Sequence, residues 1–206
     1  MARMTRPTWL ISPDGSGVIM IKPVVLLDAN IFPAVWLLDV MLTLDEEQVI
    51  DAVWSERILE EARRALIERR GRTPEQADRL LSFITPMNPT HCIYGWSHLE
   101  RTLDLPDPDD RHVLAASLMA DADFIVTYNL KDFPPTTLER YAVEAVHPDE
   151  FLSMMLRRDR EGVMRAMDAV VRSKGNPPRT MSEELEHLRK LRLDGFVDGM
   201  EAEYLQ

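Results

Sequence analysis

The chain has 206 residues, with 24 Lys and Arg against 35 Asp and Glu, a formal charge of −11 and one cysteine. Its 45% hydrophobic and 29% charged residues are the composition of a chain that buries a core, which excludes wholesale disorder. The lone Cys92 excludes an intrachain disulfide and a cysteine zinc cluster; no apolar run approaches the ~18 residues of a membrane span and no apolar core follows the N-terminal arginines, so we expect a reduced, cytoplasmic protein.

Residues 1–22, punctuated by Pro7, Pro13, Gly15 and Gly17, read as a loosely structured extension. Val24 to Leu27 are four apolar residues in a row and read as a buried strand. Residues 33–47 read as a helix with Pro33 in its first turn, and about 49–54 as a second strand. Ser55 is placed to cap the next helix. There Ile58, Leu59, Ala62, Leu66 and Ile67 recur at helical spacing up to Gly71, and Glu60 faces Arg63 and Arg64 across one turn. Thr73 caps a further helix that ends before Pro86, and residues 87–105 carry no readable pattern. The acidic turn LPDPDD then leads into a helix of small apolar residues from Arg111. A buried strand at 124–127, a loop at 130–135, a short helix at 136–141 and a strand at about 143–146 follow. Asp149 is placed to cap the next helix. The rest is helical, broken at 174–179, with a final helix from about Ser182 that frays after Gly195. Alternating helices and short apolar strands predict a parallel α/β sheet covered on both faces.

In such sheets ligands sit beyond the carboxyl ends of the strands. Asp28 and Asn30 follow the first strand. Thr127 and Asn129 end the 124–127 strand, with Asp132 close behind. Asp107, Asp109 and Asp110 open the intervening helix, and Glu60 and Glu61 lie on the helix after the second strand. Acidic clusters from distant parts of the chain therefore converge on one sheet edge. Such carboxylates repel unless a cation lies among them, and oxygen donors without cysteine select Mg²⁺ or Mn²⁺ over zinc. Each residue also has a plainer reading: Asp28 and Asp110 as helix caps, Asp107 and Asp109 as turn residues, the glutamates as solvated. Residues 151–206 hold ten acidic and ten basic side chains, so the whole charge deficit falls on the first 150. That excludes nucleic-acid binding by a protein-wide basic patch but not binding through cations.

Taken in order, VVLLDAN, WSERILEEARRAL and LPDPDDRHVLAASLMADADFIVTYNLKDFP resemble a PIN-domain nuclease, and within that family the VapC-type toxins of bacterial toxin–antitoxin pairs. The resemblance covers about residues 23–152, and residues 153–206 resemble the helical C-terminal extension of some of these toxins. It implies a three-layer α/β/α fold with a parallel sheet, and a Mg²⁺-dependent endoribonuclease centre. The family's acidic positions fall on Asp28, on Glu61 rather than Glu60, and on Asp110, and its hydroxyl residue on Thr127. Where a fourth acid commonly stands, this chain has Asn129, with Asp132 or Asp107 as possible substitutes. Asp28 and Asp110 would hold the metal. Glu61 would assist through water, and Thr127 and Asn129 would orient water or a phosphate oxygen. Asn30 would fix the rotamer of Asp28.

The resemblance further implies an RNA substrate, a cognate antitoxin that inserts an arginine into the acidic site, and a homodimer. Two other functions fit the residues: a PIN scaffold that binds without cutting, and a phosphohydrolase acting through an aspartyl-phosphate. The latter is opposed by the absence of a second Asp two residues after Asp28. Arg63 and Arg70 share a helix face on which they meet either RNA phosphate or neighbouring glutamates. His112, beside Asp110, is a packing residue or a substrate contact, and Trp36, Trp54 and Trp96 are core or interface residues. The stripe Trp36, Leu37, Val40 and Met41, with Ile58, Leu59 and Ala62, either fills the core or leaves a surface for a partner helix.

Overall fold

The computed structural model describes residues 9–11, 18–84, 90–175 and 177–204, with side chains from residue 21 onward. The prolines and glycines noted before residue 18, and Pro86, lie outside the described residues.

Strands β1 (Trp9–Ile11) and β2 (Val18–Met20) pair antiparallel, so part of the expected loose extension is regular. Strand β3 (Val24–Leu27) follows as its apolar run predicts. Helix α1 (Val35–Glu46) begins two residues beyond Pro33, which sits in the preceding turn rather than in the helix. Strand β4 (Asp51–Ser55) leads directly into α2 (Glu56–Glu68), where Ser55 Oγ accepts the Ile58 N–H at 3.3 Å. Gly71, at φ +64°, turns the chain out of α2, and the Arg72 N–H bonds back to the Leu66 carbonyl at 3.1 Å. Helix α3 (Pro74–Ile84) is capped by Thr73, whose Oγ1 accepts the Gln76 N–H at 3.3 Å. The unread stretch holds β5 (Cys92–Ile93) and α4 (Ser97–Glu100).

A 3-10 turn at Pro108–Asp110 opens α5 (Arg111–Met119), which returns to β6 (Phe124–Val126). Then come α6 (Pro135–Leu138), continued by a 3-10 turn at Glu139–Tyr141, β7 (Glu144–Val146) and α7 (Pro148–Arg158). Helices α8 (Arg160–Ser173), α9 (Met181–Lys190) and α10 (Asp194–Tyr204) complete the chain. The last helix does not fray after Gly195: it starts there. Asp149 does not cap its own helix, because His147 Nδ1 accepts the Asp149 N–H at 3.2 Å. The Asp149 carboxylate instead accepts the Gly195 and Phe196 N–H groups at 3.1 and 2.8 Å, capping α10 from across the fold.

The sheet has five parallel strands in the order β5-β4-β3-β6-β7, flanked by helices, as the three-layer expectation has it. From β3 the chain builds outward to β4 and β5, and from β6 in the opposite direction to β7. The strand order therefore reverses between β3 and β6, and a crevice opens at their carboxyl ends. Leu27 pairs with Val126, which puts Asp28 and Thr127 on the next rung.

Leu26, Leu27, Ile125 and Val126 are fully buried. Each such aliphatic side chain contributes roughly 1.5–3 kcal/mol. Leu37, Val40, Met41, Ile58 and Ala62 belong to the same core, and the partly buried Trp36 and Leu59 pack against it, so most of the apolar stripe fills the core. Helices α8 and α9 lie on α1, and Val163, Met167, Leu185, Leu188 and Phe196 join that core. The C-terminal helices thus occupy the ground that the stripe might have offered a partner.

Candidate active site

Asp28 is 7% exposed and leaves the end of β3 with both carboxylate oxygens engaged. Oδ1 accepts the Ala29 N–H at 2.6 Å; Oδ2 accepts Asn30 Nδ2 at 2.6 Å and the Thr127 hydroxyl at 2.7 Å. The same hydroxyl oxygen accepts Asn30 Nδ2 at 2.9 Å and the Asn129 N–H at 3.0 Å. Thr127 therefore uses its one donor and both acceptor positions within the protein. In this arrangement its hydroxyl holds Asp28 and keeps no free position for a water. Asn30 Oδ1 accepts the Tyr128 N–H at 3.2 Å, so Asn30 laces the two strand ends together.

Asp110 stands at the start of α5 with no capping hydrogen bond to its side chain, so the plain helix-cap reading does not use its carboxylate. Asp107 is the residue that caps the preceding turn, accepting the Asp109 N–H at 2.9 Å. Asp28, Asn30, Glu61, Asp110 and Asn129 line one cleft of about 300 Å³, with Arg64 and Arg69 at its rim. Glu60 is exposed and does not line it. Arg63, singled out in the sequence, faces away and pairs with Asp78 of α3 at 2.5 and 3.0 Å. Asp132 hydrogen-bonds the Asn129 amide.

Glu61 has a partner that the sequence pattern did not reveal. His112, fully buried beside Trp96, places Nε2 3.1 Å from Glu61 Oε1, and Arg57 and Arg64 each lie 3.6 Å from the same oxygen. The signal was the His two residues after Asp110, in the first turn of α5.

The three acids differ electrically. Burial raises Asp28 above the ordinary carboxylate value, against the hydrogen bonds from Thr127 and Ala29. Burial also pushes Glu61 up, but the His112 contact and the charges of His112, Arg57 and Arg64 outweigh it and leave its carboxyl below the usual value. Asp110 has no such compensation: burial, then the charges of Asp28, Asp132, Asp107 and Glu61, push it up to about 7. A carboxylate held this far from ionisation is a site short of positive charge.

The donor set consists of oxygen atoms alone and fits a hard divalent cation. Among the described residues no three His, Cys, Asp or Glu side chains are already gathered around one point.

A family description, PIN domain, matches residues 24–131, just over half of the chain. The chain belongs to the PIN-domain family. A second description, VapC50 C-terminal domain, matches residues 148–202. The chain is also similar over 79 residues, at 40% identity, to "Putative ribonuclease VapC50" of Mycobacterium tuberculosis. That match covers 38% of this chain and 47% of the relative, so it spans less than half of the relative's length. No solved structure matches the chain. All five expected site residues fall within the PIN-domain range, whereas α9 and all but the last two residues of α10 fall within the C-terminal match. Among the described residues no helix is long and apolar enough to cross a membrane.

Proposed function

We propose that the chain is a metal-dependent endoribonuclease that hydrolyses RNA phosphodiester bonds, and the toxin of a type II toxin–antitoxin pair. The observation that carries this reading is the meeting of Asp28, Glu61 and Asp110, from three separate elements, in one cleft at the carboxyl edge of the sheet. PIN-domain membership and the name of the mycobacterial relative support RNA as the substrate.

In this reading Asp28 and Asp110 hold Mg²⁺, or Mn²⁺ in its place. Bound there, the ion acidifies a water and offsets the charge that develops on the phosphoryl oxygens. Thr127 and Asn30 fix the Asp28 carboxylate. Glu61, ionised at neutral pH, accepts the proton of the attacking water. Asn129 orients a phosphate oxygen, and Arg64 and Arg69 meet the flanking phosphate. Residues 23–152 form the nuclease body and 153–206 its extension. An antitoxin covers the cleft, and the protein works in the cytoplasm as a homodimer.

The test is cleavage of structured RNA by purified protein in Mg²⁺. We expect cleavage that EDTA abolishes and Asp28→Asn or Asp110→Asn abolishes while the fold is kept. Wild-type rates in either variant at equal Mg²⁺ would overturn the assignment. Asn129, an amide that hydrogen-bonds Asp132, favours one second reading, a PIN scaffold that binds RNA without cutting it. Binding without cleavage under every metal tried would establish it.

A further inference from the structure

A groove of about 540 Å³ lies between the start of α1, the end of α2 and the end of α9. Trp36, Leu66, Arg70, Arg72, His187 and Lys190 are on its walls, and every ionisable side chain there is basic, in a chain of charge −11. Among the described residues Arg70 and Arg72, just beyond the end of α2, have no ion pair, whereas Arg57, Arg63 and Arg64 on α2 all do. Their backbone is nonetheless fixed, because the Gly71 turn and the bond from Arg72 to Leu66 close the end of α2.

Trp36 pins the far wall. Arg179 Cζ lies 3.9 Å from the centre of its ring and the His187 ring 4.1 Å from it. Two planar groups at that range cannot share a face, so the indole is sandwiched and offers no face to a base. What the groove offers a ligand is the basic side chains Arg70, Arg72, His187 and Lys190 around an apolar floor, rather than an open aromatic face.

It also adjoins the acidic cleft. Ala65, Glu68 and Arg69 of α2 line the cleft, while Leu66 and Arg70, one position on, line the groove. Tyr128, next to Asn129 of the cleft, hydrogen-bonds the Leu191 carbonyl at the groove's edge at 3.3 Å. We propose that this groove binds the phosphates of the single RNA strand whose scissile phosphate occupies the acidic cleft, so that the C-terminal helices form one wall of the substrate path. The proposal rests on the nuclease reading above. A carboxylate-rich cleft repels RNA, and the groove supplies the local attraction that the rest of an acidic protein lacks. A polyacidic peptide would match the charge of the groove but gain nothing from its continuity with the cleft.

The test measures binding of a short single-stranded RNA by fluorescence anisotropy over a range of salt, in an Asp28→Asn background where the RNA stays intact. Each phosphate contact on a single strand adds about 0.7 to the slope of log affinity against log salt. Arg70→Ala/Arg72→Ala is expected to lower the slope by about 1.4, which is about 25-fold weaker binding at about 0.1 M salt, for every RNA sequence alike. Lys190, already paired with Glu186 at 3.0 Å, is expected on substitution by Ala to lower it by less than the ~0.7 of a free cation. Arg63→Ala removes one arginine charge from α2 outside the groove and is expected to leave the slope unchanged, with melting temperatures confirming that all variants fold. An unchanged slope in the double variant, or an equal fall in Arg63→Ala, overturns the proposal. So does a polyglutamate peptide that the double variant no longer binds while its RNA slope is intact, since the groove would then be a protein site. Cleavage by the protein with Asp28 intact is read separately. Groove-dependent binding without cleavage supports the groove and overturns the nuclease reading, and cleavage with groove-independent binding does the reverse.

Discussion

The Thr127 hydroxyl donates to Asp28 Oδ2 across 2.7 Å and so ties the end of β6 to the end of β3 at the point where the sheet reverses its strand order. Thr127→Val keeps the shape but removes the donor, and it strips Asn30 Nδ2 and the Asn129 N–H of their common acceptor. Thr127 is fully buried, whereas Asn30 and Asn129 line the cleft, so water there offsets part of the loss. We expect a loss of about 1–3 kcal/mol in urea denaturation. RNA cleavage should also fall, because Asp28 loses its anchor. Thr127→Ser restores both, which separates the hydroxyl from the methyl group.

Asp110 gives the metal-free protein a defined pH dependence. Its folded-state carboxyl titrates at about 7 against an ordinary 3.8, so the folded state binds a proton that the unfolded state releases. That stability is complete below pH ~4 and is lost as pH rises towards 7. Glu61 acts in the opposite sense: its lowered value adds stability above 4.5 that disappears as pH falls below it. We expect the metal-free melting temperature to fall between pH ~5 and ~7.5. Asp110→Asn should reduce that fall, with the Asp28 carboxyl, also raised by burial, keeping part of it, and saturating Mg²⁺ should flatten it in the wild type. A pH-independent melting temperature over this range contradicts the assignment.

Asn129→Asp restores the charge that this chain lacks and sets a carboxylate against Asp132 in place of the present hydrogen bond. Two effects follow together: tighter Mg²⁺ binding in calorimetric titration, and a lower melting temperature without metal, from like charges in contact. Tighter binding without destabilisation would mean that the new carboxylate turns away from Asp132. Unchanged affinity would mean that position 129 does not reach the ion.

Asp149→Ala removes the acceptor shared by the Gly195 and Phe196 N–H groups. We expect a loss of about 1 kcal/mol in chemical denaturation, as for other N-caps. Asp149→Asn keeps an acceptor oxygen and should recover most of it.

What the sequence displayed, and what it hid, divides along physical lines. Val24–Leu27 and Phe124–Val126 are visible as apolar runs because both strands are central and buried, and Asp28 and Thr127 follow from the ends of those runs. Strand β5, Cys92–Ile93, is two residues long and owes its existence to pairing with Trp54 and Ser55, so no periodicity announces it. The start of α10 depends on a carboxylate 45 residues upstream, a partner that no local window contains. On α2, helical spacing shows which residues share a face but not which face meets the cleft. It therefore drew attention to Arg63, while Arg64 and Arg69 stand at the rim. The fully engaged hydroxyl of Thr127 is likewise a matter of three-dimensional hydrogen-bond counting.

The packing of α8 and α9 on α1 has a consequence for the order of events at the ribosome. Chains emerge from the N-terminus, and every residue of the acidic cleft, from Asp28 to Asn129, is made before Arg160 opens α8. Through that interval the flank of α1 stands bare, and Trp36 lacks both of the groups that will clamp it. The unfinished chain thus has its carboxylates in hand on a support that is not yet sealed. The cleft reaches its final rigidity only when the helices that wall the neighbouring groove have been synthesised and have closed over it.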